Sequence, residues 1–412
     1  MDDLRAVLRH REFRLLWGAR AATSLGDRIV FIALALYVTD IGSPSDVGLV
    51  LAANALPLVL FVLIGGVWAD RLERHRVMVV TDLVRAVLHG LLAVLIFLGP
   101  APIWAIVVIE AGFGTAQAFF NPAFTGLVPQ TVPEDEFQQA NAANTIVWNV
   151  AELVGPAIAT ALVLGLGAGW AFTIDALAFV LSAALLTRVR PRSRGERVPP
   201  GALLADLRVG WHEVRSRQWV WVVLVATSLS LLLALAPYMT LGPTIAEHHY
   251  DSTGVFGALA VALGIGTLLG SVAALRLRPR HPIRFAMAWG TLWPPVFVLF
   301  ALGPPLVLLY PLFVLMGFGL SMFDVSWDTT LAERIPPHAL SRVSAFDYMG
   351  SLALLPLGYV LAGPLGEAFG SVEVLVVGGV LATVANLAAL VTPGVWRLQN
   401  SPRPSSGVEA SA

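Results

Sequence analysis

Gly65-Gly66-Val67-Trp68-Ala69-Asp70-Arg71-Leu72-Glu73-Arg74-His75-Arg76 stands between two apolar runs, 46–69 and 76–98. Each run is long enough to cross a bilayer as a helix, which takes roughly 20 residues. The stretch therefore reads as a charged turn of a membrane hairpin, and its arginines mark the side that stays in the cytoplasm. Working outward, the same alternation of long apolar run and short polar turn recurs along the chain. Spanning helices are expected at roughly 13–39, 46–69, 76–98, 102–128, 138–163, 168–187, 219–246, 252–275, 284–302, 304–328, 343–366 and 371–392. Gly42-Ser43-Pro44, Gly99-Pro100-Ala101-Pro102, Gly165-Leu166-Gly167 and Gly303-Pro304-Pro305 punctuate four of the breaks.

Composition agrees with lipid as the solvent. Mean hydropathy is +0.76, and charged residues make up 13% of the 412, against about 25% in soluble domains. A formal net charge of -1 argues against a nucleic-acid partner. The absence of cysteine excludes disulfides and thiolate chemistry. No signal-peptide cleavage site follows the Arg-rich start; the apolar run continues to Val38 as a first transmembrane helix. The basic residues are all arginine, and in this topology the loops on one side hold Arg71, Arg74, Arg76, the series Arg188 to Arg217, Arg276, Arg278, Arg280, Arg334 and Arg342, while the loops on the other side hold none. The expected topology is an even number of spans with both termini cytoplasmic, in the inner (plasma) membrane.

The longest polar stretch, Arg188 to Arg217, divides the chain near its middle. Expected units are a six-helix bundle over 1–187, a cytoplasmic linker with a surface helix over 188–217, a second six-helix bundle over 218–395 and a disordered tail over 396–412. The halves echo each other: Pro133 follows Phe120-Asn121 and Pro336 follows Phe323-Asp324 at one spacing, and Ala142 and Ala345 follow these prolines at another. A duplicated six-helix unit with its axis along the membrane normal is the major facilitator architecture.

The 65–76 turn resembles the signature of the major facilitator superfamily, Gly-x-x-x-Asp-Arg-x-Gly-Arg-Arg. Gly66, Asp70, Arg71 and Arg74 match; Glu73 and His75 depart from it. The second copy, Gly270 to Arg280, has Ala274 where Asp70 sits. The resemblance implies that Asp70 holds the halves together near the start of helix eleven and releases them as they rock, with Gly66 permitting close helix approach. Helix five carries Glu152-Leu153-Val154-Gly155-Pro156, which resembles the Gly-Pro motif of exporters in this superfamily, with Gly155 and Pro156 as the matching pair. Phe13 to Trp17 with Gly26-Asp27, Asn121-Pro122-Ala123 with Pro129 and Pro133, and Phe172 to Phe179 resemble the enterobactin-exporter and macrolide-efflux branch. The fold implied is all-α, with twelve transmembrane helices in two pseudo-symmetric six-helix bundles. The function implied is secondary active, proton-coupled efflux of a drug-like or siderophore-like molecule. The alternative is a proton-coupled uptake symporter of a small organic solute, since fold does not fix direction.

Charges deep in a bilayer need a reason. Asp27, Glu152 and Glu110 are the proton-coupling candidates, because a desolvated carboxylate can load a proton on one side and release it on the other; a fixed intramembrane ion pair is the competing reading. Arg20, Ser24, Asp27 and Arg28 share one helix face, and Asn141, Asn144, Thr145, Trp148 and Glu152 share another. Arg20, Asn54, Asn144 and Trp148 are substrate-path candidates, and Asp324, Asp328, Arg334, Arg342 and Asp347 are inner-gate candidates. Tyr238, Phe323 and Trp327 are further aromatic candidates, although tryptophans in membrane proteins mostly anchor or pack. Asp82 and Arg85 are expected to pair, and Asp175 is placed about a turn from an outer helix end. No phosphate loop, zinc-protease or serine-hydrolase motif occurs, so neither ATP-driven transport nor an enzyme is expected. No cofactor or metal site is expected; the expected partners are substrate, protons and lipid, with a monomeric chain.

Overall fold

The computed structural model describes residues 7–191, 203–274, 276, 277 and 279–399; the side chains of 62–71, 203–209, 337–342, 345 and 348 fall outside that description. Among the described residues there is no strand, and twelve helical stretches are long and apolar enough to cross a membrane. They are Arg11–Ile41 (span one), Pro44–Phe61 within the helix Pro44–Arg71 (span two), Arg74–Leu98 (three), Ile103–Gln130 (four), Glu134–Gly165 (five) and Ala168–Leu186 (six). Gln218–Tyr250 (seven), Gly254–Ala274 (eight), Pro282–Ala301 (nine), Leu306–Arg334 (ten), Met349–Phe369 (eleven) and Ser371–Val391 (twelve) complete the set.

The apolar sequence forces helices here, because a backbone in hydrocarbon must satisfy every N–H and C=O within the segment. Span one has 31 residues, about 46 Å at the helical rise. That exceeds a hydrocarbon core of roughly 30 Å, so its ends reach beyond the lipid tails. Val80, Val87, Leu91, Val94 and Leu98 of span three are exposed, which suits a lipid-facing surface and nothing in water.

Three spans of the second half are interrupted. Span seven contains a π-turn at Leu231–Leu235 just before Pro237, span nine breaks between Gly290 and Trp293 ahead of Pro294, and the helix Pro337–Leu352 gives way to Leu355–Phe369 at Pro356. Each proline lacks the N–H that would continue the ladder and clashes with the preceding turn, so the helix re-registers there.

The packing repeats with an offset of six spans. In the first six, two packs on four, three on six, and one on both five and six. In the second six, eight packs on ten, nine on twelve, and seven on both eleven and twelve. The two halves are therefore the same bundle used twice. A helix Leu203–Ser216 lies against the helix Pro337–Leu352, with the Trp211 and Phe346 rings 6.1 Å apart.

Twelve spans put the start of span one and the end of span twelve on one face, called here the terminal face. The halves meet mainly through spans two and eleven, five and eight, and one with seven. These contacts lie toward the opposite, far face. A Cβ on Gly363 of span eleven would stand 2.4 Å from the Ser45 Cα of span two, and one on Gly257 of span eight would stand 1.8 Å from the Thr160 Oγ1 of span five. Only glycine permits such approaches. Ser45 N–H also donates to Glu367 Oε1 at 2.9 Å. Between these seams, Ile29, Ile32 and Leu36 of span one join Tyr238, Leu241 and Ile245 of span seven in one apolar core. The halves are thus joined at three places toward the far face.

Candidate functional site

Spans one and five carry polar stripes because their polar residues recur every three or four positions, which places them on single helix faces. Packing one stripe on the other brings the groups together. Arg28 Nε lies 2.7 Å from Glu152 Oε2 as an ion pair, although its N–H is not aligned on the oxygen. The two side chains are 24% and 26% exposed, so the pair is half-wet rather than locked in the core. The Arg28 guanidinium sits 4.3 Å above the Trp148 ring, and the Arg20 guanidinium lies 5.9 Å from Trp148 and 4.9 Å from Phe124. Trp148 remains 45% exposed. Its neighbours Asn141 and Thr145, nearer the terminal face, are exposed too. Asn144 is partly buried, and its Oδ1 has no hydrogen-bond partner; the same holds for Asp27 Oδ1. Gly155 lets span one come this close: a Cβ there would meet the Arg28 Cβ at 2.5 Å. Pro156 follows it inside an unbroken helix.

The second half presents a different wall. A cavity of about 260 Å³ opens among Thr227, Leu231, Trp293, Phe297, Phe323 and Asp324. At its polar edge the Asn386 amide donates to Ser230 Oγ at 2.8 Å. Asp324 and Asp328 are exposed along span ten, and Asp347 accepts from Trp327 Nε1 at 3.0 Å. Among the described residues none of these three carboxylates has an ion-pair partner. Arg334 donates to the Gln399 carbonyl instead. Phe323 stacks on Trp327, whereas Tyr238 is buried and stacked 4.1 Å from Phe297 in the core between the halves. Among the described residues, the extensive contacts between the halves are those of the far-face seams.

Some predicted residues stand elsewhere. The side chains of Asp70, Arg71 and Arg342 and the surroundings of Gly66 lie outside the described set. Arg74 donates to the Gly126 carbonyl, tying the start of span three to the end of span four. Glu110 and Asn54 do not join the stripe. The Asn54 amide donates to Glu110 Oε2 at 2.7 Å inside the first bundle, and Glu110 Oε1 faces His89 Nε2 at 3.5 Å. His89 Nδ1 is 2.5 Å from Asp175 Oδ2. Asp175 therefore lies in the bundle core, two turns into span six, rather than near a helix end. One layer below, Asp82 pairs with Arg85 and accepts from Ser182 Oγ at 2.6 Å, all three fully buried, with Arg85 4.2 Å over Phe120 and 4.3 Å over Phe179.

Sequence reasoning passed over His89. The available signal was a polar residue near the middle of spans two, three, four and six: Asn54, His89, Glu110 and Asp175. Four polar residues at similar depth on neighbouring spans are expected to find each other, because none can find water.

Comparison with known proteins agrees with this architecture. The model of the major facilitator superfamily matches residues 16–355. The multidrug efflux pump Tap of Mycolicibacterium fortuitum is 28% identical over 373 residues, covering 86% of this chain and 89% of that one. Macrolide efflux protein A of Streptococcus pyogenes is 23% identical over 376 residues, covering 87% and 90%. Among solved structures, a bacterial homologue of the iron transporter ferroportin in its inward-facing state superimposes with a TM-score of 0.67 at 17% identity, over 93% of this chain and 99% of that one. With the duplicated bundle and a family match over most of its length, the chain belongs to the major facilitator superfamily of membrane transporters.

Proposed function

We propose that the protein is a proton-coupled exporter of amphipathic, drug-like or siderophore-like organic molecules, working by alternating access in the inner membrane. The arginine asymmetry supports cytoplasmic termini. The terminal face is then the cytoplasmic one, and the far-face seams are the outer gate in its closed state. Residues 1–187 and 218–395 act as two rocking units joined by 188–217, and the chain works as a monomer.

The observation that carries this reading is a polar, partly exposed stripe beneath closely packed far-face seams. Glycine seams join the halves toward the far face, while Arg28, Glu152 and Trp148 on the polar stripe keep exposed surface. A substrate entering from the cytoplasm would meet aromatic faces, an apolar cavity and a few charges, which suits an amphipathic solute. Asp27 and Glu152 exchange protons with the cavity as it alternates, Arg28 competing with the proton for Glu152. Arg20, Asn144 and Trp148 line the path. Gly66, Asp70, Arg71 and Arg74, together with Asp324, Asp328, Arg334, Arg342 and Asp347, control closure of the cytoplasmic side. Export is favoured over uptake because the relatives quoted above are efflux proteins.

The test is a susceptibility and accumulation profile across macrolides, other hydrophobic drugs and siderophores, in cells with and without the protein. Cells lacking it should accumulate the substrate. Failure to accumulate would indicate uptake, and an unchanged profile across all classes would remove the substrate assignment.

A further inference from the structure

The first bundle buries more ionisable chemistry than its packing needs. His89 of span three, Glu110 of span four and Asp175 of span six are 0%, 1% and 0% exposed. The imidazole lies between the carboxylates, 2.5 Å from Asp175 and 3.5 Å from Glu110. It stacks flat on Phe113 at 4.0 Å, with the edges of Phe172 and Phe179 closing around it. Yet three polar atoms here have no hydrogen-bond partner: His89 Nε2, Glu110 Oε1 and Asp175 Oδ1. A purely structural network would be expected to satisfy them, since an unmet polar group in a dry core is destabilising.

We propose that His89, Glu110 and Asp175 form a proton-binding site within the first bundle, separate from the cavity stripe and coupled to it through span one. The inference rests on the proton-coupled reading above and adds a second proton site to the Asp27 and Glu152 carboxylates of the stripe. Charge counting supports it. With an imidazolium and two carboxylates the cluster carries one net negative charge; one more proton makes it neutral, the form a dry core prefers. Asn54 of span two holds one oxygen of Glu110 at 2.7 Å and leaves the other facing His89 Nε2. That gap is too long for a strong hydrogen bond, so Glu110 Oε1 and Asp175 Oδ1 are the unpartnered carboxylate oxygens left to take the added proton. The other charges acting on Asp175 are Arg85 of span three, itself paired with Asp82, and Asp27 of span one.

Span one carries the link. Asp175 Oδ1 fills the space that a side chain on Gly26 would need, a Cβ there standing 2.1 Å from it. Asp27 and Arg28 follow directly in sequence, and Arg28 holds Glu152. A change at the Asp175 carboxyl therefore bears on the backbone that positions both cavity charges.

Infrared titration of the full-length protein in nanodiscs tests the site directly. A protonated-carboxyl band in the wild type should be lost in Glu110→Gln or Asp175→Asn, and its midpoint should shift in His89→Gln. Asn54→Ala, which removes no ionisable group, should also shift it. Identical bands and midpoints in all four variants would overturn the proposal. In proteoliposomes, His89→Gln should lose pH-gradient-driven transport of a radiolabelled macrolide yet keep macrolide counterflow; loss or retention of both would assign the cluster a structural role. A wild type that ignores the pH gradient would sink the proton-coupled reading, while the infrared result would still decide whether the site binds a proton.

Discussion

Replacing Gly257 by alanine should push the protein out of the conformation described here. The contact it disturbs joins span eight to span five and belongs to the closed far face. The new Cβ would lie 1.8 Å from Thr160 Oγ1, 3.0 Å from its Cβ and 3.2 Å from its Cγ2. Thr160 Oγ1 is already engaged, donating to the Pro156 carbonyl at 2.8 Å, so turning it away breaks a bond as well. Overpacking of this kind costs about 1–3 kcal/mol. Because the cost falls only on the state in which the seam is closed, the ratio of states should move by roughly 5- to 150-fold. The absence of native cysteine makes the assay clean. Spin labels on introduced cysteine pairs across each face would report the separation of the halves. Far-face distances should lengthen and terminal-face distances shorten in Gly257→Ala, and Thr160→Ala in the same chain should reverse much of the change. Unaltered distance distributions, or no response to the second substitution, would refute the reasoning.

Further substitutions separate the roles of the buried and half-wet charges. Asp82→Asn or Arg85→Ala breaks a fully buried pair, and a loss of about 3–5 kcal/mol is expected, read as a sharp fall in thermal stability and yield. Glu152→Gln leaves the Arg28 charge unpaired where water still reaches it. Stability should fall much less than for the buried pair, while proton-driven efflux in vesicles drops; unchanged efflux would end the coupling role of Glu152. Trp148→Ala removes a ring beneath two guanidinium groups, each contact being worth roughly 0.5–2 kcal/mol. Transport assays should show a raised KM for amphipathic substrates with a fold of unchanged stability.

The span count was legible in the sequence because hydropathy reports solvent directly. Runs such as 76–98 and 371–392 admit no other structure in lipid, and the Phe120-Asn121 and Phe323-Asp324 echo marked the duplication that the packing of spans repeats. The Asp82–Arg85 pair was legible because both partners lie on one helix, three residues apart. Pairings between helices were not. Asn54 reads as a path-lining amide until span four is set against span two, whereupon its partner is Glu110. Asp175 is placed near a helix end by counting, but only the packing of span three on span six shows that His89 faces it. The breaks in spans seven, nine and eleven had a local signal in Pro237, Pro294 and Pro356, yet hydropathy runs smoothly through all three.

Alternating access requires the seam between Ser45 and Glu367 to part in every cycle. Cysteines introduced at these two positions, bridged by a short reducible cross-linker, test that requirement most directly. The account predicts that cross-linked protein in proteoliposomes stops transporting a macrolide and recovers on reduction; transport at an undiminished rate through the locked seam would contradict it.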